Sequence, residues 1–214
     1  ARAVPSPWEE VRDFFHYCDN YIDAVDRAAE HFATREGSVQ NTRVAAVAAL
    51  ANAGVTVEFD DVDRLRAYDP ATRTLRLSAR AAHETQTFQL LLQVALSRQD
   101  QLLEATLDLA RFHSPAARDI AKIGLANYFA GAALMPYGRF LEQAQACRHD
   151  LELLAKHFGA SIEQVAHRLS TLQRPGAKGI PFFFVRVDQA GTITKRHSAT
   201  RLQFARFGGA CPLW

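Results

Sequence analysis

Apolar residues at Val11, Phe14, Phe15, Cys18, Ile22, Val25, Ala29 and Phe32 recur at steps of three and four, the spacing of one helix face. Ser6 as N-cap, Pro7 at the first helical position and Glu9 two residues on mark where that helix starts, and the stripe predicts one long helix ending near Gly37. An Ala-rich helix over 39–53 follows and stops at Gly54, a C-cap signal. The segments VTVEF, LRAY and TLRLS then alternate apolar and polar, which predicts three short strands with a turn at Asp69-Pro70. Helical spacing returns over 83–112, and Ser114-Pro115 opens another helix running toward Met135-Pro136. Shorter helices are expected over 139–148, 151–158 and 161–172, with Gly159-Ala160 as a break and Arg174-Pro175-Gly176 ending the helical part. PFFFVRVD and TITKRH flank Gln189-Ala190-Gly191 and predict a β-hairpin. The fold class is therefore helix-rich α+β with a small sheet and a C-terminal β-hairpin.

A chain of 214 residues that is 48% hydrophobic buries a substantial core, and no apolar run reaches the length of a membrane span. Because the start carries neither a basic nor an apolar leader segment, a cytoplasmic protein is expected. The first residue is not Met, so a piece of a longer protein is expected. Cys18, Cys147 and Cys211 are odd in number and far apart, which argues against a disulfide framework. Charge is uneven along the chain. Residues 174–214 hold seven Lys/Arg against one acid, +6, leaving eighteen basic and twenty-two acidic residues, −4, for 1–173. That asymmetry suits contact with a polyanion, either nucleic acid or a phosphorylated small molecule, and suits equally a solvated basic rim.

Residues 88–96, FQLLLQVAL, and 124–136, GLANYFAGAALMP, together resemble the two halves of an ImmA/IrrE-type zinc-metallopeptidase scaffold. In that scaffold one helix carries HExxH, two His a turn apart to grip zinc with a Glu as base, and a later helix carries a third ligand. Matched on Phe88 and on 126–130, the His positions fall on Leu92 and Leu96, the Glu on Gln93 and the third ligand on Leu125. Leucine cannot ligate zinc and Gln93 is no base, so the scaffold is degenerate and neither metal nor peptidase chemistry is expected. The same leucines either floor an apolar cleft suited to a short acyl chain or fill that cleft as core.

NYFAGAALMPYGRFL at 127–141 and FGASIEQVAHRLSTLQRPGAKGIPFFFVRVD at 158–188, with KRHSAT at 195–200 and GGACPLW at 208–214, carry a more specific likeness. Over essentially its whole length the chain resembles the short-chain fatty acyl transcriptional regulators, including mycobacterial regulators of propionate and glyoxylate metabolism. The resemblance implies an effector-sensing region that takes coenzyme A or a short-chain acyl-CoA, in a homo-oligomer, with promoter DNA bound through a domain that this chain lacks. An iron–sulfur cluster is conceivable only with cysteines of a longer chain, Cys211 in its Cys-Pro setting being the one candidate here. Residues 1–136 are expected to form the metallopeptidase-like sensing core, and 137–214 a helical pair plus basic hairpin packed on it as one combined ligand-binding unit. Leu92, Leu96 and Leu125 are then expected to line an acyl cleft, and Tyr128 and Phe129 to wall it. Phe182 and Phe184, which share one strand face with Arg186, would offer stacking surface, and Arg186, Lys195 and Arg196 would meet phosphates. Three consecutive Phe equally describe a strand buried on both sides. The stripe over 11–32 fits a dimer contact as well as a core helix.

Residues 151–172 also have the spacing of a helix-turn-helix, the basis of an alternative in which this chain itself binds DNA or only oligomerises. Glu163 near the leading end of the second helix faces the wrong way electrostatically for phosphates and favours a packing role.

Overall fold

The Ser6 hydroxyl accepts the Glu9 N–H and the Glu9 carboxylate accepts the Ser6 N–H at 2.7 Å, a reciprocal cap that starts α1 (Pro7–Tyr17). The computed structural model describes residues 6–35, 42–61, 63–187, 189 and, in backbone only, 193–198. The single long helix expected from the apolar stripe is in fact two. Asp19 and Asn20 sit at φ +52° and +57°, and the Asn20 N–H turns back to the Phe15 carbonyl at 2.9 Å before α2 (Asp23–Arg35) begins. Asp and Asn are among the L residues that enter the left-handed region at least cost, so the pair ends the helix although the apolar spacing runs on across it.

α3 (Thr42–Asn52) stops as expected at Gly54, at φ +71°. Strands β1 (Thr56–Asp60), β2 (Arg66–Asp69) and β3 (Thr74–Ser78) form a sheet in the order β1-β3-β2. β3 runs parallel to β1 and antiparallel to β2. The Asp69 carboxylate accepts the Ala71 N–H and the Thr72 hydroxyl, both at 2.9 Å, which closes the predicted turn. The helical stretch over 83–112 divides into α4 (His83–Arg98) and α5 (Asp100–Ala110) at Gln99, whose φ of −112° leaves the helical range. Ser114 caps α6 (Pro115–Leu134), the Ala117 N–H donating to its hydroxyl at 3.0 Å. α7 (Tyr137–Ala146), α8 (Leu151–Phe158) and α9 (Ile162–Leu169) follow, then the antiparallel hairpin β4 (Phe183–Val187) and β5 (Ile193–Ser198). α9 ends three residues short of the expected 172, where the Ser170 hydroxyl donates to the His167 carbonyl and competes with the helix ladder.

α6 is the organising element. It packs against α1, α2, α4 and α5 on most of its circumference and meets α9 on what remains. The middle of α4 is buried on most sides, Leu90, Leu91, Leu92, Val94 and Ala95 together with the polar Gln93, as befits a helix packed against α3, α6 and β3. Among the described residues no helix is long and apolar enough to cross a membrane.

Candidate functional site

Successive turns of α6 face two different environments. Leu125 and Phe129 are fully buried in the core, Phe129 against Phe32 with ring centroids 6.0 Å apart. Gly124, Tyr128 and Gly131, spaced at four and three residues, instead line a cavity of about 670 Å³. One wall of that cavity is aromatic, Phe15 from α1 and Phe88 from α4. The facing wall is polar and comes from α9 and its end: Gln164, His167, Arg168 and Thr171. Glu163 and Arg186 also line it, and their side chains pair at 3.1 Å where both are partly exposed.

Behind the polar wall lies a buried charge cluster. Asp26 of α2 is fully buried and accepts four hydrogen bonds: from the Tyr128 hydroxyl at 2.7 Å, from two nitrogens of Arg168 at 2.6 and 3.2 Å, and from Arg174 at 3.2 Å. Arg168 spends its remaining reach on the Met135 carbonyl at 2.9 Å and the Thr171 hydroxyl at 3.0 Å. Arg174 also holds Glu30 at 2.9 Å and the Tyr21 hydroxyl at 2.8 Å, and its guanidinium lies 4.1 Å from the centre of the Tyr137 ring. Burial alone would raise the Asp26 carboxyl, but Arg168, Tyr128 and Arg174 together outweigh it and hold the group below the ordinary carboxylate range. Burial and then the Asp26 charge push the Tyr128 phenol well above its usual value, so it stays protonated and donates. The cluster ties α2, α6 and α9 to the chain after α9. Arg174, counted by sequence within a basic segment facing a polyanion, is thus instead neutralised internally by Asp26 and Glu30.

The other expected site residues divide between core and cavity. Leu92 and Leu125 are sealed in the core, and Leu96 packs against it partly exposed; none of the three lines the cavity. Gln93, at the position of the base, is buried; it accepts a short hydrogen bond from Arg66 and donates to the Ser97 hydroxyl at 3.0 Å. These residues do not fit a zinc ion, and no group of three or more His, Cys, Asp or Glu placed to hold a metal occurs among the described residues. Tyr128 and Arg186 do reach the cavity. Phe182 is half-buried against the core, and Phe184 makes an edge contact with the His167 ring, centroids 6.3 Å apart. The strand register sets Lys195 opposite Arg186 and Arg196 opposite Val185, while their side chains, like Cys211, lie outside the described residues. α9, the second helix of the helix-turn-helix spacing, turns Gln164 and His167 to the cavity and Val165, Ala166 and Leu169 to the core.

Sequence reasoning missed Asp26, Arg168, Phe15, Phe88 and the two α6 glycines. Asp26 had a signal, since an acid stands on the buried stripe between Val25 and Ala29. Arg168 had none until its partner was known.

Two family models match the chain. Residues 54–170, more than half of it, match the IrrE N-terminal-like domain of the M78 peptidase family. Residues 171–214 match the C-terminal domain of the short-chain fatty acyl coenzyme A regulators. A propionyl-CoA carboxylase regulator of Cereibacter sphaeroides is 71% identical over 98% of this chain and 45% of its own length. The HTH-type transcriptional regulator PrpR of Mycobacterium tuberculosis is 45% identical over 99% of this chain and 45% of its own length. A solved structure of a Mycobacterium tuberculosis transcriptional regulator superposes with a TM-score of 0.91 at 44% identity, over 98% of this chain and 65% of that one. This chain thus spans a little under half the length of these curated relatives, which are transcriptional regulators named for propionate or HTH-type control. It belongs to the IrrE N-terminal-like family, with a short-chain fatty acyl-CoA regulator segment completing it from residue 171.

Proposed function

We propose that this chain is the effector-sensing part of a transcription regulator, that it binds coenzyme A or a short-chain acyl-CoA without catalysing a reaction on it, and that promoter DNA is bound by another part of the whole protein. The observation that carries this reading is the two-sided cavity between α6 and α9: aromatic rings and glycines on one wall, amide, imidazole and guanidinium groups on the other. An acyl-CoA has the same two characters, an apolar tail and an anionic phosphate head. Its apolar part would lie against Phe15 and Phe88, and its phosphates would meet Arg186, with Lys195 and Arg196 from the facing strand of the hairpin. The relatives' names, which include propionyl-CoA carboxylase regulator, support a ligand from short-chain acyl metabolism. Leu92, Leu96 and Leu125 then contribute as the packed backing of the wall that carries Phe88 and Tyr128. A cytoplasmic homo-oligomer is part of the same proposal.

Native mass spectrometry of the purified chain, looking for co-purified nucleotide, tests it. A mass increment matching CoA or an acyl-CoA is expected. If only the folded chain binds, ligand at a hundredfold over its dissociation constant adds about 2.7 kcal/mol of stability. Neutralising Arg186, Lys195 and Arg196 together should weaken binding and flatten its salt dependence. An unaltered melting curve across a wide range of acyl-CoA would overturn the proposal in favour of a DNA-binding or oligomerising module.

A further inference from the structure

Two glycines interrupt the otherwise alanine-rich α6, and both stand on the cavity face, one turn on either side of Tyr128. Glycine inside a helix is a standing cost, because it gives up more backbone freedom on folding than alanine and supplies no side-chain contact. Neither glycine adopts a positive φ, so backbone geometry does not require them. Gly124 has a packing reason. A Cβ there would lie 3.1 and 3.2 Å from the Phe15 ring, so the ring rests in the notch that the missing methyl leaves.

Gly131 has no such reason. A Cβ built on it meets only Phe88, at 3.9 Å, which is ordinary van der Waals contact, and otherwise projects into open space. The residue lines the cavity, so that open space is the cavity itself. Alanine would therefore fit at this position and would favour the helix. What it would remove is room beside Phe88.

We infer that Gly131 is a specificity-determining residue: its absent side chain leaves the space that the terminal carbons of an acyl group occupy against Phe88. The inference rests on the acyl-CoA reading above and deepens it by naming the position that limits chain length. Gly131 and Phe88 form a gauge, the ring fixing one side of the slot and the bare backbone of α6 the other. The cationic rim meets only the phosphate head, which is common to CoA and all its thioesters. Selectivity among acyl groups then resides on the α6 wall, while overall affinity resides at the rim.

The test is calorimetric titration of CoA and of acetyl-, propionyl- and butyryl-CoA into the wild-type chain, Gly131→Ala and Gly131→Leu, with a melting curve for each protein. Gly131→Ala should melt roughly 2–4 °C higher, as expected for relieving a helix glycine in a domain of this size. It should bind free CoA as the wild type does and lose affinity for acyl-CoA progressively with chain length, by roughly tenfold for butyryl-CoA, the order expected for one misplaced methylene-sized group. Gly131→Leu should extend the loss to the acetyl and propionyl thioesters. Equal losses for CoA and all thioesters would overturn the inference, since the space would then hold the part common to them. Unchanged affinities in both variants, or a lower melting temperature in Gly131→Ala, would overturn it as well. If the wild type binds none of the four ligands, the sensing proposal itself falls and this inference with it, whereas wild-type binding that neither variant alters removes only the inference.

Discussion

Two regions of this molecule solve the problem of buried polarity in opposite ways. At the α4–α6 contact, where the related scaffold places a metal site, Leu92 and Leu125 are sealed in the core and the one polar group among them, Gln93, is held by Arg66 and Ser97. Between α2, α6 and α9, a carboxylate is buried and kept charged because two guanidiniums and a phenol converge on it. The first region is leucine packing around a single hydrogen-bonded amide. The second has kept ionic groups in a dry place, which is rarely a gain in stability over apolar packing but fixes geometry sharply, since any other arrangement strands a charge. Tyr128 and Arg168 line the cavity with their polar ends already committed to Asp26 and the Met135 carbonyl, so under the proposed function a ligand would meet groups whose hydrogen bonds are already made.

The contrast is most sharply broken by putting a charge where there should be none. Leu92→Asp loses the burial of a leucine and places a carboxyl in the apolar core, and should cost about 4 kcal/mol or more. Chemical denaturation at neutral pH measures it, and a change below about 1 kcal/mol would mean that Leu92 faces water. The converse is to take away a charge where one is needed. Asp26→Ala leaves Arg168 buried without a carboxylate, while Arg174 keeps Glu30, and should cost about 3–5 kcal/mol. The double substitution Asp26→Leu with Arg168→Met should recover a large part of that loss, which would separate the expense of an orphaned charge from the worth of the pair.

Acid probes the same cluster more gently. The folded chain holds the Asp26 carboxyl below its ordinary value of 3.8, so the unfolded chain takes up the proton first. The stabilisation is accordingly complete above pH 4 or so and drains away as pH falls through the folded-state pKa. In Asp26→Ala that part of the acid-denaturation profile should be flattened, and an identical profile would mean that other carboxylates carry the acid sensitivity. The smallest effect is expected in the leucine-rich region. Arg66 is lowered by burial and its Nε–H has no partner, which offsets part of the loss when Arg66→Met strands the Gln93 carbonyl, so the change should stay within about 1–2 kcal/mol.

Much of this architecture is legible from residue order, because it depends on local rules. Ser6, Ser114 and Ser161 cap the helices that follow them, Gly54 and Gly159 take the left-handed conformation, and Asp69 closes the β2–β3 turn. The break at Asp19-Asn20 was hidden because the apolar stripe continues across it, and spacing alone does not register a change of direction. The site was harder to read. Side-chain chemistry at the matched positions excludes metal ligands but leaves Leu92 and Leu125 open between cleft floor and core, and only the fold puts them in the core. The cavity arises from side chains far apart in sequence, Phe15, Phe88, Gly131 and Arg186, and no local pattern announces such a convergence. Arg174 shows the same limit from the other side: a basic segment gives it a net charge to share, and only the fold reveals that Asp26 and Glu30 already hold it.

If the α6–α9 cavity binds an acyl-CoA as proposed, calorimetric titration of propionyl-CoA into the wild-type chain gives saturable heat at one ligand per chain, weakened when Arg186, Lys195 and Arg196 are neutralised together. No heat, and no shift in melting temperature up to millimolar ligand, would contradict it.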